Sequence, residues 1–383
     1  VLKKQLRFLW WYIKSWLWQI LLVLVVITLS VTAITFVGAS SKATTSDSKL
    51  TKKFYQKLYL VQVQASLDNS QKEEILSVIK NTDSVDFVMT GGLAFFNTPS
   101  VVATMRRPIV FLDSADYTKF LQVFNLELKS GTLPLKGSNQ LAFNTQSLQN
   151  RKLQIGSEIG KQVSKDDPFL PGKYEVSGEL KFNQEADSFF LGLGNFNSAK
   201  TSEVSYFIKP VSGREEKLNQ ELLKLEQQFN GVAVETEQTY SKYAEKEVQG
   251  ADFINNSITA VVTLSATISV VLLILLFLNS RINEIAMFSA LGYSYSFVYF
   301  KVFLEILFKI SFAWLFGLVF AQGLFNCLNF IIFQPKAIHP LSVLEPEVLL
   351  NSSILPIILI ISALVAVVIK INRVSLIILV NRD

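Results

Sequence analysis

Four stretches of this chain contain no Asp, Glu, Lys or Arg: residues 15–41, 253–280, 310–335 and 348–369, of 27, 28, 26 and 22 residues. An α-helix needs about 20 mainly apolar residues to cross a hydrocarbon core of about 30 Å. All four stretches are long enough. In Ile20–Val37, 13 of 18 residues are Leu, Ile, Val or Phe. At about 0.3–0.6 kcal/mol each, they favour insertion by roughly 4–8 kcal/mol. Four transmembrane helices are expected, the first within residues 1–38 and the others near 253–279, 299–330 and 351–371.

The first stretch follows Lys3, Lys4, Arg7 and Lys14, as the h-region of a signal peptide would. It is about twice the usual 7–15 residues of such a region, so an uncleaved helix is expected. Trp10, Trp11, Trp16 and Trp18 lie at its start, where an aromatic belt meets the membrane interface.

Basic residues beside the spans give the orientation. The N-terminal segment and the tail with Lys370, Arg373 and Arg382 are basic, and the 279–300 connection has Arg281 with Lys301 and Lys309 just beyond, whereas 336–347 has one Lys against two Glu. Both termini and the 279–300 connection are therefore expected to be cytoplasmic. The formal net charge of +5 divides the same way: 39–252 carries 25 basic and 26 acidic residues, and the rest 11 and 5. The excess is a positive-inside bias and gives no reason to expect nucleic acid.

Residues 39–252 are long enough for an extracytoplasmic domain with its own core, with room for two subdomains. Ser40–Ser48 reads as a linker. Leu58–Val63, Val85–Met89, Tyr174–Leu180 and Glu203–Lys209 read as strands. Lys72–Ile79, Tyr117–Leu128 and Arg214–Phe229 read as helices, with apolar residues three and four apart. The fold class is a four-helix membrane protein with an α+β extracytoplasmic domain inserted between helices 1 and 2. Gln238–Gly250 continues without Pro into the second apolar stretch, so one unbroken helix is expected there.

Chemistry is sparse. The sequence has one Cys, Cys327, and one His, His339, which argues against a disulfide framework, a Cys/His metal site or an H-E-x-x-H protease. It has no G-x-x-x-x-G-K-[ST] phosphate loop and no G-x-S-x-G elbow. A non-catalytic membrane subunit with no cofactor of its own is expected. Lys301, Glu305 and Lys309 fall at i, i+4 and i+8 on one helix face, where Glu305 can pair with either Lys near the inner interface.

The run Asn279-Ser280-Arg281-Ile282-Asn283-Glu284-Ile285-Ala286-Met287-Phe288-Ser289-Ala290-Leu291-Gly292 resembles the R-x-x-E-I-a-x-x-x-A-L-G pattern of FtsX-like ABC-transporter permeases. Glu305 and Gly317 fit that family's third helix. Outside the membrane, Gly131-Thr132-Leu133-Pro134, Leu153-Gln154-Ile155-Gly156 and Tyr174-Glu175-Val176-Ser177-Gly178 follow the order of motifs in MacB-type external domains. Gln140 stands where an acid is commoner, and 166–171 reads as an insertion.

The resemblance implies that 253–383 is the permease domain and that 281–292 is a cytoplasmic coupling segment. In that segment Arg281 and Glu284 are i, i+3 neighbours, Ile285, Phe288 and Leu291 present apolar positions to a groove, and Gly292 caps the helix. The resemblance further implies a bacterial plasma-membrane protein that works by mechanotransmission. A separate cytoplasmic ABC ATPase would bind ATP and Mg, and a second permease copy or paralogue would complete a dimer within the membrane lipid. A membrane-fusion protein is a further implied partner outside, and peptides, antibiotics (efflux of an antimicrobial peptide, for example) or lipid-like molecules are implied substrates. The alternative is a non-transporting FtsX-like relay that activates an extracellular cell-wall hydrolase.

Overall fold

A computed structural model describes residues 2–100, 104–184, 189–196, 203–282, 284, 287–288 and 291–380. Its helices are α1 (Leu2–Lys57), α2 (Asn69–Lys80), α3 (Tyr117–Phe124), α4 (Thr145–Arg151), α5 (Glu215–Gln228), α6 (Glu237–Ser280), α7 (Tyr295–Leu328) and α8 (Pro346–Val380). Its strands are β1 (Tyr59–Gln64), β2 (Val85–Pro99), β3 (Thr104–Leu112), β4 (Leu126–Gly131), β5 (Gln140–Asn144), β6 (Glu158–Ile159), β7 (Tyr174–Phe182), β8 (Gly192–Asn195), β9 (Glu203–Pro210) and β10 (Val232–Glu235). The chain divides into two compact units. One comprises Val1–Lys42, Ala251–Asn329 and Leu341–Asp383, and the other Ala43–Gly250 and Phe330–Pro340.

The first unit is helical. Stretches of α1, α6, α7 and α8 are each long and apolar enough to cross a membrane. Each helix contributes one narrow stripe to a shared core: Ile27, Val31 and Ile34; Ala266, Val270, Ile274 and Leu278; Val302, Ile306 and Ile310; Leu355, Leu359, Ala363 and Val367. The spacing of three and four is the period of a helix face. Large apolar residues such as Leu29, Val261, Leu272, Phe308 and Val319 are exposed on the other faces, as side chains in contact with lipid would be.

Gly317 lets α7 approach α1 closely, since a Cβ there would lie 2.9 Å from Val31 Cβ and 3.3 Å from Thr28 Cα. Thr35 and Thr32 return their hydroxyls to the carbonyls of Val31 and Thr28, each at 2.8 Å, as polar groups in an apolar span must. Pro356 lies inside α8, where an apolar environment and neighbouring helices make a helical Pro tolerable.

The second unit is built on one mixed sheet of order β10-β1-β9-β2-β3-β8-β5-β7-β4, with β6 beside β7. β1, α2, β2, β9, α5 and β10 form a split βαβ arrangement, all of it antiparallel. β3 to β8 are inserted between its second and third strands and extend the same sheet through parallel β3–β8 and β5–β7 pairs.

Alternation along the strands separates the faces. Tyr59, Val61 and Val63 pack under Ile75, Ile79, Leu218, Leu222 and Leu225 of α2 and α5. Leu58 and Leu60 face the other way, with Phe54 and with Phe120 and Phe124 of α3. In the insertion, Gly194 of β8 faces the Phe111 ring, which a Cβ would meet at 2.5 Å.

Two expectations are corrected. Ser40–Ser48 is not a linker but part of α1. No Gly or Pro interrupts 39–57, and Ala39, Ser40, Ala43 and Thr45 are buried, so packing sustains the helix through a Ser/Thr-rich run. The helix expected over Tyr117–Leu128 stops at Phe124, because Asn125 takes the left-handed conformation at φ 53°. Leu126 then opens β4, which pairs with β7. The helix expected from Gln238 is continuous through Gly250 to Ser280.

Candidate functional site

The residues that follow α6 fold back toward α7 in two capped steps. Tyr293 N–H donates to Phe288 O at 3.1 Å and Leu291 N–H to Met287 O at 3.0 Å. Gly292 takes φ +84°. Phe288 and Tyr293 rings meet at 5.7 Å. This is the glycine-centred helix ending with its accompanying apolar contact. Ser294 then caps α7, its side chain accepting from Phe297 N–H at 3.4 Å.

Inside this hairpin lies a network of five charges. Arg281 Nε and Nη2 donate to Glu284 Oε2 and Oε1 at 2.6 and 2.7 Å. Its remaining Nη1 donates to Glu305 Oε2 at 2.7 Å. Glu305 Oε1 accepts from Lys309 Nζ at 2.7 Å, and Lys301 Nζ stands 3.5 Å from Glu284 Oε1. The planar fork of an Arg can serve two carboxylates at once, which a Lys cannot.

Aromatic rings close the sides. Lys309 lies 4.0 Å from the centroid of Phe277, Arg281 5.0 Å from the same ring, and Lys301 4.1 Å from Phe288. The void left among these groups is about 20 Å³, too small for a ligand. Burial pushes the Glu284 carboxyl up, but the hydrogen bonds and charges of Arg281 and Lys301 outweigh it, leaving Glu284 below the usual carboxylate range. This arrangement holds a short segment in register with a long helix.

The expected site residues separate into two sets. Arg281, Glu284, Lys301, Glu305 and Lys309 come together, although Glu305 pairs with Lys309 and Arg281 rather than with Lys301. Phe288 is partly buried, packed against the helical core with Lys301 over its ring. Leu291 is 67% exposed and Met287 53%, so 287 and 291 are an outward apolar pair among the described residues of the segment. Ile285 lies outside the described residues. Sequence reasoning missed the Arg281–Glu305 tie and the two aromatic lids. The signal available was that a short hairpin must bring the ends of two spans, and any charges near them, side by side. Among the described residues, no three His, Cys, Asp or Glu side chains gather as metal ligands.

Residues 256–376 match the model of the FtsX-like permease C-terminal family. The chain carries an FtsX-like permease domain. The match encloses the capped hairpin, the charge network and the helices that hold it. No curated protein matches the sequence. Among solved structures, the periplasmic region of MacB from Actinobacillus actinomycetemcomitans is similar, with 12% identity over 49% of this chain and 92% of that one, at a TM-score of 0.29. The extracellular domain of the noncanonic ABC-type transporter YknZ from Gram-positive bacteria is similar at 14% identity, 46% and 100% coverage, and a TM-score of 0.29.

Proposed function

We propose that this FtsX-like chain is the membrane subunit of an ABC transporter of MacB type, and that a separate cytoplasmic ATPase bears on residues 281–292. The observation that carries this reading is the Arg281–Glu284–Glu305 network, which fastens the coupling segment to α7. A push on that segment then reaches a helix as a displacement instead of being absorbed by a loose loop. α1 and α6 each run without a break from residues of the helical unit into residues of the sheet unit, so movement can be carried outward along a stiff backbone. The exposed Met287 and Leu291 supply the apolar surface for the ATPase. On this reading both termini are cytoplasmic, a second permease copy or paralogue completes the assembly, and the substrate is a peptide, antibiotic or lipid-like molecule taken from outside or from the outer leaflet.

The test is the ATPase activity of the reconstituted permease–ATPase complex. Leu291→Asp places a charge on the apolar contact and Glu284→Lys reverses one arm of the network. Both are expected to abolish permease-dependent stimulation while the permease remains folded in the membrane. Stimulation at the parent level in both variants would remove the coupling role. Capture of a cell-wall hydrolase by the sheet unit, with no substrate export, would replace transport by signal relay.

A further inference from the structure

The sheet unit contains an open cavity of about 670 Å³, within the roughly 300–1,000 Å³ typical of small-molecule sites. β7 supplies one wall through Leu180, Lys181 and Phe182, and α4 supplies another through Thr145 and Gln149. The third is residues 334–340, from the loop that joins α7 to α8. That loop belongs to the sheet unit. Gln149 Nε2 donates to Gln334 O at 2.8 Å and Asn150 Nδ2 to Lys336 O at 2.6 Å.

The lining is built in advance of any ligand. Arg107 is 4% exposed, with Nε donating to Thr98 Oγ1 at 3.0 Å, Nη1 to Thr51 Oγ1 at 3.2 Å, and its guanidinium 4.5 Å from the Phe190 centroid. Asn144, also in the lining, is 1% exposed and donates to Phe189 O at 2.9 Å. Lys129 is held by Glu179 at 2.8 Å. Lys181 is exposed on the same wall, opposite Glu127 of β4 in the strand register, and among the described residues it forms no ion pair. No Asp or Glu is among the described residues that line the cavity. Phe182, Phe190 and Ile338 provide apolar surface beside the cations.

We propose that this cavity binds an amphiphile with a single anionic head, a phosphate or carboxylate, placed at Lys181, and with its apolar part against Phe182, Phe190 and Ile338. Arg107, Lys129 and Lys181 line the wall against two acids beside it, Glu179 on Lys129 and Glu127 opposite Lys181, so the wall keeps a positive excess that attracts an anion, and the apolar surface next to it strengthens that attraction. The consequence follows from the third wall. A ligand that shifts residues 334–340 acts directly on the segment between the last two membrane helices. As the substrate or effector class of the permease, this inference rests on the transporter reading given above. The binding itself can be measured without it.

The experiment uses the full chain in nanodiscs of zwitterionic lipid, without ATPase, titrated with dihexanoyl phosphatidic acid. Dihexanoyl phosphatidylcholine and inorganic phosphate serve as the other arms. Phosphatidic acid is expected to bind, and each of the other two to bind more weakly by about tenfold or more. Lys181→Glu, on an exposed strand position and therefore with an unchanged melting temperature, should weaken phosphatidic acid about tenfold, and Lys181→Arg should retain it. Equal binding of the choline lipid, or no effect of Lys181→Glu, overturns the anionic head. Equal binding of inorganic phosphate overturns the amphiphile. Failure here leaves the Leu291→Asp result untouched, so the two readings fall separately.

Discussion

Arg281 and Glu305 are 24 residues apart and meet at 2.7 Å, one at the end of α6 and the other well inside α7. Their side chains are 17% and 20% exposed. Removing Arg281 leaves Glu305 with Lys309 alone and takes the fork from Glu284, and removing Glu305 leaves Arg281 with Glu284 alone, a loss of about 1–3 kcal/mol in either case. Arg281→Ala and Glu305→Ala should each lower the thermal unfolding temperature in detergent. The double variant should lose less than the sum, because the contact that each single variant removes is lost only once. Additive losses would show that the two residues act independently.

Gly317 sets the spacing of α1 and α7. A branched side chain there meets Val31 Cβ at 2.9 Å, and both neighbours are backbone or branched atoms with little freedom to yield. Gly317→Val is expected to cost about 1–3 kcal/mol by overpacking, read as a lower melting temperature. Val31→Ala in the same chain should recover part of it.

Gly292 holds φ +84° with open space where a Cβ would stand, so the penalty for a side chain is conformational and not steric against neighbours. Gly292→Val should cost about 1–2 kcal/mol. Gly292→Asn should cost less, since Asn tolerates the left-handed region. Faster amide exchange at Leu291 and Tyr293 reports the opened helix end.

Asn329 is 8% exposed and both accepts from Leu341 N–H and donates to Leu341 O, each at 2.8 Å. It closes the base of the loop between α7 and α8. Asn329→Ala strands two buried backbone groups and is expected to cost about 1–3 kcal/mol. Asn329→Asp should cost less, as it keeps the acceptor for Leu341 N–H. Thermal unfolding and proteolysis within 330–340 measure both.

Glu235 accepts from Tyr55 O–H at 2.6 Å. Burial raises its carboxyl above the usual value, and the Tyr55 hydrogen bond offsets only part of the rise. A carboxyl whose folded pKa lies above the unfolded value of about 4.3 binds its proton more tightly when folded. Its contribution is fully present below that unfolded value and is lost as pH rises through the folded one. Glu235→Gln, which keeps an acceptor for Tyr55 without a charge, should gain on the parent chain in melting temperature as pH rises from 4. A constant difference across that range would refute the assignment.

The membrane spans were legible because hydropathy is local: 22 or more residues without a charge state their own environment, whatever packs beside them. The Gly292 ending was legible too, since a helix end in a known apolar pattern limits which residue can follow. The β4 strand was not. Leu121, Phe124 and Leu128 keep a helical spacing past Phe124, and only the pairing of Leu126 with Phe182 and Glu127 with Lys181 decides the change. The Ser/Thr-rich continuation of α1 was hidden for the same reason, because packing on one side outweighed composition.

By itself, then, the sequence determined the four spans, their charge asymmetry, and the capped hairpin with its FtsX-like pattern. All of these follow from interactions within a few residues or with a uniform solvent. Tertiary structure alone decided the strand order, the parallel β3–β8 and β5–β7 pairs, and the partners of Glu305. It also decided that residues 334–340, between the spans expected near 299–330 and 351–371, form a wall of the cavity in the sheet unit. Those choices depend on which distant surfaces are complementary, and a pattern with a period of two or 3.6 residues specifies a face without naming what it meets.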